Sequence, residues 1–469
     1  MRSRRPLWEA AKITNSLKFG TSGLRGLATD LVGAESRRYA AAFIASLKQR
    51  GDVGQVLIGR DLRDSSAAIS QDVAAAVAAA GVQALDCGEV PTPALALEAM
   101  SRRLAAIMVT GSHIPADRNG LKFYTPAGEI DKADEARILA ALGPAPAGQA
   151  STIADPEVLR RYRARYAAIL PRGAFAGLRI GVWEHSSVMR DLLIEVLEGY
   201  DADVVALDRS EVFVPVDTEA VSADTATELA GWVHAHQLDV LVSTDGDADR
   251  PLLADETGAL IRGDVIGMLT AKFLGADTVV TPVTSNSAIE GMFATVVRTR
   301  VGSPFVIAAM AGAAGIVVGF EANGGVLLGC NVTLNGMALT ALPTRDAMLP
   351  ILGVIGAALA EGRSLSQLVA TLPPRFARSD RLEHVPQEKS AALMDLLRRE
   401  AAPFFAPQAG IRSVSAIDGL RFELADGDVI HYRPSGNAPE LRCYTEAATA
   451  ERAEALLAWG LKAAAAVVR

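Results

Sequence analysis

Three apolar runs in this chain each stop at a short loop crowded with polar and charged residues, and that repetition limits the folds open to it. Ala105-Ala106-Ile107-Met108-Val109 leads into Thr110-Gly111-Ser112-His113. Val240-Leu241-Val242 precedes Asp245-Gly246-Asp247-Ala248-Asp249-Arg250, and Ile316-Val317-Val318-Gly319-Phe320 precedes Glu321-Ala322-Asn323-Gly324-Gly325. Short β-branched runs of this kind read as buried strands. In open α/β sheets, ligands sit beyond the carboxyl ends of such strands. Three strands delivering three loops predict three α/β domains facing a shared cleft. The spacing between them is uneven, which makes this a topological repeat and not a solenoid period.

The flanking segments support strand–helix alternation. Gln55 to Gly59 reads as a strand. Ser65 to Ala80 reads as a helix with Ser65 or Ser66 as N-cap and Gly81 at its end. Leu178 to Val182, Val188 to Gly199 and Val204 to Leu207 repeat the unit, and Thr278 to Thr281 with Ser287 to Phe293 begins a third. From about Arg375 the character changes to short strands, including Gly419 to Leu424 and Val429 to Tyr432, with helices over Ala391 to Glu400 and Thr449 to Val468. The expected fold is therefore α/β: three similar mixed-sheet α/β domains (1–152, 153–256 and 257–372) plus a C-terminal α+β domain (373–469) around a central cleft.

Composition narrows the function classes. At 469 residues the chain exceeds what one core usually supports, and 50% hydrophobic with 21% charged residues describes a globule well away from disorder. A formal net charge of -8 argues against a nucleic-acid partner. An anionic small substrate then needs locally placed Lys and Arg. Cys87, Cys330 and Cys443 cannot all pair and show no CxxC spacing, so they read as buried packing thiols of a cytoplasmic protein. The basic stretch Met1 to Pro6 leads into Trp8-Glu9-Ala10 and not into an apolar run, which does not fit a signal peptide. Met348 to Ala360 is too short to span a bilayer and reads as a buried helix, so no membrane partner is expected.

The loops carry chemistry. Ser112 follows a strand, beside His113 and upstream of Lys122, and offers a hydroxyl that needs a base or a cation to act as nucleophile. A Ser-His-Asp hydrolase competes with this reading, but the Gly-x-Ser-x-Gly elbow is absent. Asp245, Asp247 and Asp249 repel one another unless a divalent cation neutralises them, and all-oxygen ligands suit Mg²⁺. A calcium hand is disfavoured because Arg250 stands where that loop needs glycine. Glu321 and Asn323 offer hydrogen-bonding groups for vicinal sugar hydroxyls. Arg433, Ser435, Gly436 and Asn437 combine a guanidinium with a donor-rich turn, a phosphate cradle. Lys18 to Gly26 adds a glycine-rich turn carrying Arg25. Each fragment alone is compatible with an ordinary turn. Together they supply nucleophile, metal site, sugar reader and phosphate clamp.

In order and wording, the motifs from Gly20-Thr21-Ser22-Gly23-Leu24-Arg25-Gly26 to Arg433-Pro434-Ser435-Gly436-Asn437 resemble those of the α-D-phosphohexomutase family. The resemblance implies four domains in a heart-shaped arrangement. It implies a phosphoserine at Ser112, Mg²⁺ held by Ser112, Asp245, Asp247 and Asp249, and a sugar loop containing Glu321 and Asn323. Arg433, Ser435, Gly436 and Asn437 would grip the non-reacting phosphate, with Thr21, Ser22, Arg250, Gly302 and Arg442 also touching substrate. Arg25 and Lys122 would flank the transferring group. Two loops depart from the usual wording: Thr-Gly-Ser-His-Ile-Pro stands for Thr-Ala-Ser-His-Asn-Pro, and Phe-Glu-Ala-Asn-Gly-Gly for Gly-Glu-Met-Ser-Gly-His. Ser303 stands near where some relatives carry histidine.

The expected activity is interconversion of hexose 1-phosphate and 6-phosphate, with mannose as the sugar, through a hexose 1,6-bisphosphate that serves as intermediate and activator. Glucose and glucosamine phosphates are the alternatives within the class, and a non-catalytic phosphosugar-binding protein the alternative outside it. Lys122, its pKa lowered by neighbouring cations, is the expected general base; His113 is second, and Arg25 is excluded because guanidinium stays protonated. A monomer or weak homodimer is expected.

Overall fold

In the first three sheets a polar loop sits inside a hairpin. The computed structural model describes residues 16–20, 23–435 and 439–468. In the second sheet, Asp203–Arg209, Arg179–His185 and Val240–Thr244 run parallel, and the chain then reverses into antiparallel Pro251–Asp255 and Leu260–Ile261. The third sheet repeats this with Thr295–Thr299, Thr278–Pro282 and Val317–Phe320, followed by Val326–Leu328 and Leu342–Asp346. In the first sheet, parallel Gln83–Glu89, Gln55–Arg60 and Ala105–Val109 precede antiparallel Arg118–Thr125, and the edges carry further short strands. Each polar loop therefore links the last parallel strand to the first returning one. Every residue of Ala105–Val109, Val240–Thr244 and Val317–Phe320 is buried, so the loops start from rigid platforms.

The helix Met348–Ala360 is buried nearly throughout, as its uninterrupted apolar sequence requires. Pro350 is tolerated because it falls in the first turn, where backbone N–H groups have no helical acceptor. This helix packs against Gly263–Phe273, and Gly356 lets Leu170 approach, so one hydrophobic cluster runs through the first three sheets. Behind it, Tyr162 and Tyr166 donate hydrogen bonds to the buried Asp346, joining the helix Glu157–Tyr166 to the third sheet.

The C-terminal unit is a five-stranded antiparallel sheet in the order Phe376–Leu382, Leu441–Ala447, Val429–Pro434, Leu420–Leu424, Ile411–Ser415. The helices Gln387–Phe404 and Ala450–Val468 pack on it and share a separate core. Arg433 and Pro434 belong to a strand here, where the sequence reading placed them in a loop. Neither Ser65 nor Ser66 caps its helix through the side chain; the Ser66 hydroxyl donates to Asp61 instead, at 2.5 Å. Cys87 and Cys443 are buried, but Cys330 is only partly so, which corrects the expectation of three buried thiols. Among the described residues, no helix is long and apolar enough to cross a membrane.

Candidate active site

Ser112 is completely buried and holds a φ of 54°, a left-handed conformation that costs a non-glycine residue about 1 kcal/mol. Such strain persists only where the surroundings over-determine it. Here they do. Its backbone N–H donates to Thr110 Oγ1 at 2.8 Å, and that hydroxyl donates to Asp61 Oδ2 at 2.7 Å. The buried Arg63 guanidinium donates to the carbonyls of Ser112, Ile114, Pro115 and Arg118 at 2.8, 2.6, 2.7 and 2.9 Å. Arg63 also pairs with Asp61 and lies over the Phe213 ring, 3.9 Å from its centroid.

The Ser112 hydroxyl donates to Asp245 Oδ2 at 2.5 Å, while His113 Nδ1 stands farther away at 3.3 Å. Gly246 permits this approach of two loops, because a Cβ there would meet the Phe213 ring at 2.7 Å and the Ser112 carbonyl oxygen at 3.2 Å. Asp245 Oδ1 accepts from the N–H groups of Asp249 and Arg250. Asp247 Oδ2 accepts from Thr92 at 2.5 Å and from Lys122 at 2.6 Å, and Asp249 Oδ2 accepts from Lys122 at 2.6 Å.

The remaining oxygens of Asp247 and Asp249, both Oδ1, are buried without any hydrogen-bond partner. An unpaired buried carboxylate oxygen is costly unless something else satisfies it. The three aspartates offer ligand atoms within 4.8 Å of one another. Orphaned acceptors in an all-oxygen cluster fit a hard divalent cation. Burial, then the charges of Asp247 and Asp249, hold the Asp245 carboxyl well above the ordinary range. Burial also pushes Asp249 up, but Arg345, Lys122 and Arg250 outweigh it and hold that carboxyl well below.

The expectation of a lowered Lys122 is corrected. Burial pushes its ammonium down, yet Asp247 and Asp249 at contact distance push it further up. Arg25 is the depressed cation: burial and then Arg250 and Arg345 bring it to about 10. His113 is driven far below its usual value by burial, with Arg250 and Arg25 adding to the effect, and stays neutral.

Arg25, Arg250, Gly302, Glu321 and Asn323 line one small cavity of about 110 Å³. Glu219 lines this cavity and two neighbours of about 160 and 660 Å³, and the largest of the three also carries Arg442. Asn323 spends its side-chain oxygen on the Gly325 N–H of its own loop, which leaves its amide donors for a ligand. At the far end, Arg433 and Arg442 are cross-strand neighbours in register. Arg433 Nε donates to Asp418 at 2.9 Å, and Ser435 is buried beside this strand. Thr21, Ser22, Gly436 and Asn437 lie outside the described residues.

Sequence reasoning missed Arg63 with Asp61, Thr92, and Arg345. Arg345 Nη2 donates to Asp249 at 2.7 Å and Nη1 to Glu321 at 2.7 Å. The one available signal for it was position: a charged pair, Arg345-Asp346, directly before the most apolar helix of the chain must find buried partners.

A buried serine beside a carboxylate cage, with arginines placed for anionic oxygens, defines a phosphoryl-transfer site on a four-unit α/β scaffold. Sequence models described as phosphoglucomutase/phosphomannomutase alpha/beta/alpha domains I, II and III match residues 16–144, 163–258 and 262–376, and the C-terminal domain model matches 381–458. The chain belongs to the phosphoglucomutase/phosphomannomutase family, the α-D-phosphohexomutases, and is an enzyme of the isomerase class. A Sinorhizobium fredii protein named phosphomannomutase is 49% identical over 468 residues, covering 95% of this chain and 98% of its own. A Salmonella muenchen phosphomannomutase is 43% identical, covering 94% of each. A Frankia casuarinae phosphoglucosamine mutase is 30% identical, covering 93% and 96%. The fold matches the crystal structure of a Burkholderia thailandensis phosphoglucomutase/phosphomannomutase family protein with a TM-score of 0.76 at 22% identity, covering 96% and 98%. It also matches Paramecium pp63/parafusin in its open form, with a TM-score of 0.74 at 15% identity, covering 97% and 95%.

Proposed function

We propose that this enzyme interconverts hexose 1-phosphate and hexose 6-phosphate, with mannose as its preferred sugar, by lending a phosphoryl group from Ser112 and taking it back. The observation that carries this reading is the Ser112 hydroxyl held 2.5 Å from Asp245, at the mouth of three carboxylates with two orphaned oxygens. A binding protein needs neither a strained nucleophile nor a cation cage. Mannose is supported by the names of the relatives at 49% and 43% identity, against 30% for a phosphoglucosamine mutase.

In the proposed cycle, phosphorylated Ser112 transfers PO₃ to the free hydroxyl of the bound sugar phosphate. The Ser112–O–P bond breaks, the sugar-O–P bond forms, and the sugar proton ends on the serine oxygen. The 1,6-bisphosphate turns over in the cleft and its other phosphate returns to Ser112. Asp245, Asp247, Asp249 and the serine phosphate would hold Mg²⁺, which would supply divalent charge beside the transferring group. Lys122 engages the Oδ2 oxygens of Asp247 and Asp249, which leaves both Oδ1 atoms for the cation, and as an ammonium it can protonate the departing serine oxygen and regain its proton from the sugar hydroxyl. The neutral His113, 3.3 Å from the serine hydroxyl, and Arg25 border the transferring group. Glu321, Asn323 and Arg250 read the sugar hydroxyls. Arg433, Arg442 and Ser435, together with Thr21, Ser22, Gly302, Gly436 and Asn437, complete the substrate contacts. A cytoplasmic, monomeric or weakly dimeric enzyme is proposed; three unpaired thiols support the compartment.

Turnover of mannose, glucose and glucosamine 1-phosphates with a trace of the bisphosphate tests the reading. Mannose should give the highest kcat/KM, and no conversion of any of the three would remove it.

A further inference from the structure

Arg345 lies on the strand Leu342–Asp346, away from every polar loop, and is only 4% exposed. Its guanidinium forks between two of those loops. Nε and Nη2 donate to Asp249 Oδ2 at 3.2 and 2.7 Å, and Nη1 donates to Glu321 Oε2 at 2.7 Å. A longer contact from Nη1 reaches Ser303 Oγ at 3.4 Å, and Ser303 donates to Glu129 at 2.9 Å. Each of the two loop carboxylates thus commits one oxygen to Arg345 and keeps the other. For Asp249 the one kept is Oδ1, which accepts no hydrogen bond and has Arg250 Nε 3.7 Å away.

Gly325 makes the path for this side chain. A Cβ at 325 would stand 2.7 Å from the Asp249 carbonyl oxygen, 2.8 Å from Arg345 Cδ and 2.9 Å from Arg345 Cβ. Its φ lies outside the positive range, so the backbone does not demand glycine; the space does. This is the position at which the usual loop wording carries histidine. A side chain there and the Arg345 stem exclude each other, which makes Gly325 and Arg345 a matched pair.

We propose that Arg345 is a positioning residue that sets the free oxygens of Asp249 and Glu321 together, holding the cation cage and the sugar loop in one register, and that Gly325 is the opening that admits it. What Glu321 binds rests on the mutase reading above; the cation half does not. A fork is required because two carboxylates on different loops must be held at once. Separate nitrogens of the guanidinium, Nη2 and Nη1, reach the two carboxylates from one planar group, a geometry that the single nitrogen of a lysine does not reproduce.

Arg345→Lys keeps the charge, so any change it produces reports geometry. In that variant, Mn²⁺ affinity of the unphosphorylated protein, read by water-proton relaxation, should weaken about tenfold, as expected for one lost charge-assisted hydrogen bond. KM for mannose 1-phosphate should rise by a similar factor. Gly325→Ala should reproduce both defects with the arginine still encoded, whereas Glu321→Gln should raise KM and leave Mn²⁺ affinity within about twofold. An Arg345→Lys or Gly325→Ala protein with both quantities at wild-type values overturns the proposal. Should one of these fail to fold, the other decides. Wild-type protein that converts no hexose phosphate would remove the mutase reading alone, because the Mn²⁺ affinities still judge Arg345.

Discussion

The two ends of the cleft are built on different terms. Around Ser112 the carboxylates are buried and each is tied to a partner: Asp245 to the serine and its own loop, Asp247 and Asp249 to Lys122, and Asp249 and Glu321 to Arg345. Among the described residues, fewer ties surround Arg433. Arg433 holds Asp418, and Arg442, with its side chain 40% exposed, reaches Glu440 only at 3.7 Å. Asp418 also accepts from the Val301 N–H at 3.0 Å, which joins the C-terminal unit to the third sheet. A centre that must present the same geometry in both half-reactions gains from being fixed. A grip that must release a sugar phosphate and retake its other end gains from partners it can exchange.

If that contrast holds, substitutions at the serine and its three aspartates act on kcat and those at the grip on KM. Ser112→Ala should lower kcat/KM by about 10⁴-fold or more, because no other group replaces the nucleophile. Asp247→Asn should cost about 10³-fold in kcat, and chelation should abolish activity until Mg²⁺ is restored, with steady-state rates as the check. Arg63→Met removes the donor to four loop carbonyls and leaves the buried Asp61 without its counter-charge, a loss of about 3–5 kcal/mol visible in denaturant unfolding. Arg433→Met should raise KM about 30-fold with kcat nearly kept, since an exchangeable charge-assisted contact is worth about 2 kcal/mol. Equal effects on kcat at both ends would break the comparison.

A pH titration sharpens it. His185 bonds the Thr244 carbonyl behind the aspartate loop, and His431 bonds the Asp418 carbonyl behind the grip. Burial lowers each to about 4, so the unfolded chain binds protons that the folded one refuses. Their contribution to stability is complete above the unfolded pKa of about 6.5 and is lost as pH falls towards 4, by about 3 kcal/mol each. The thermal midpoint should decline over that window, and His431→Asn should flatten part of the decline.

The strand-to-loop runs, the aspartate cluster and the buried helix Met348–Ala360 could be read from the chain because each is local: a run of one period, or one motif, states its own environment. Arg63 and Arg345 could not, since much of their meaning lies in distant partners, Ser112 49 residues from Arg63 and Asp249 96 residues from Arg345, and a lone arginine matches no pattern. The charge state of Lys122 was misjudged for the same reason. Nearby cations were visible in the sequence, but the two carboxylates that grip its ammonium come from another sheet. The sequence Pro434-Ser435-Gly436 makes Arg433 read as a loop residue, although the ladder continues through Pro434.

A single-turnover experiment reaches the central step. Protein phosphorylated with labelled hexose 1,6-bisphosphate is freed of excess label and mixed with unlabelled mannose 1-phosphate. The label should leave a peptide containing Ser112 and appear in mannose bisphosphate at a rate no slower than steady-state turnover. Label that stays on Ser112 while mannose phosphates interconvert at full speed would contradict the account.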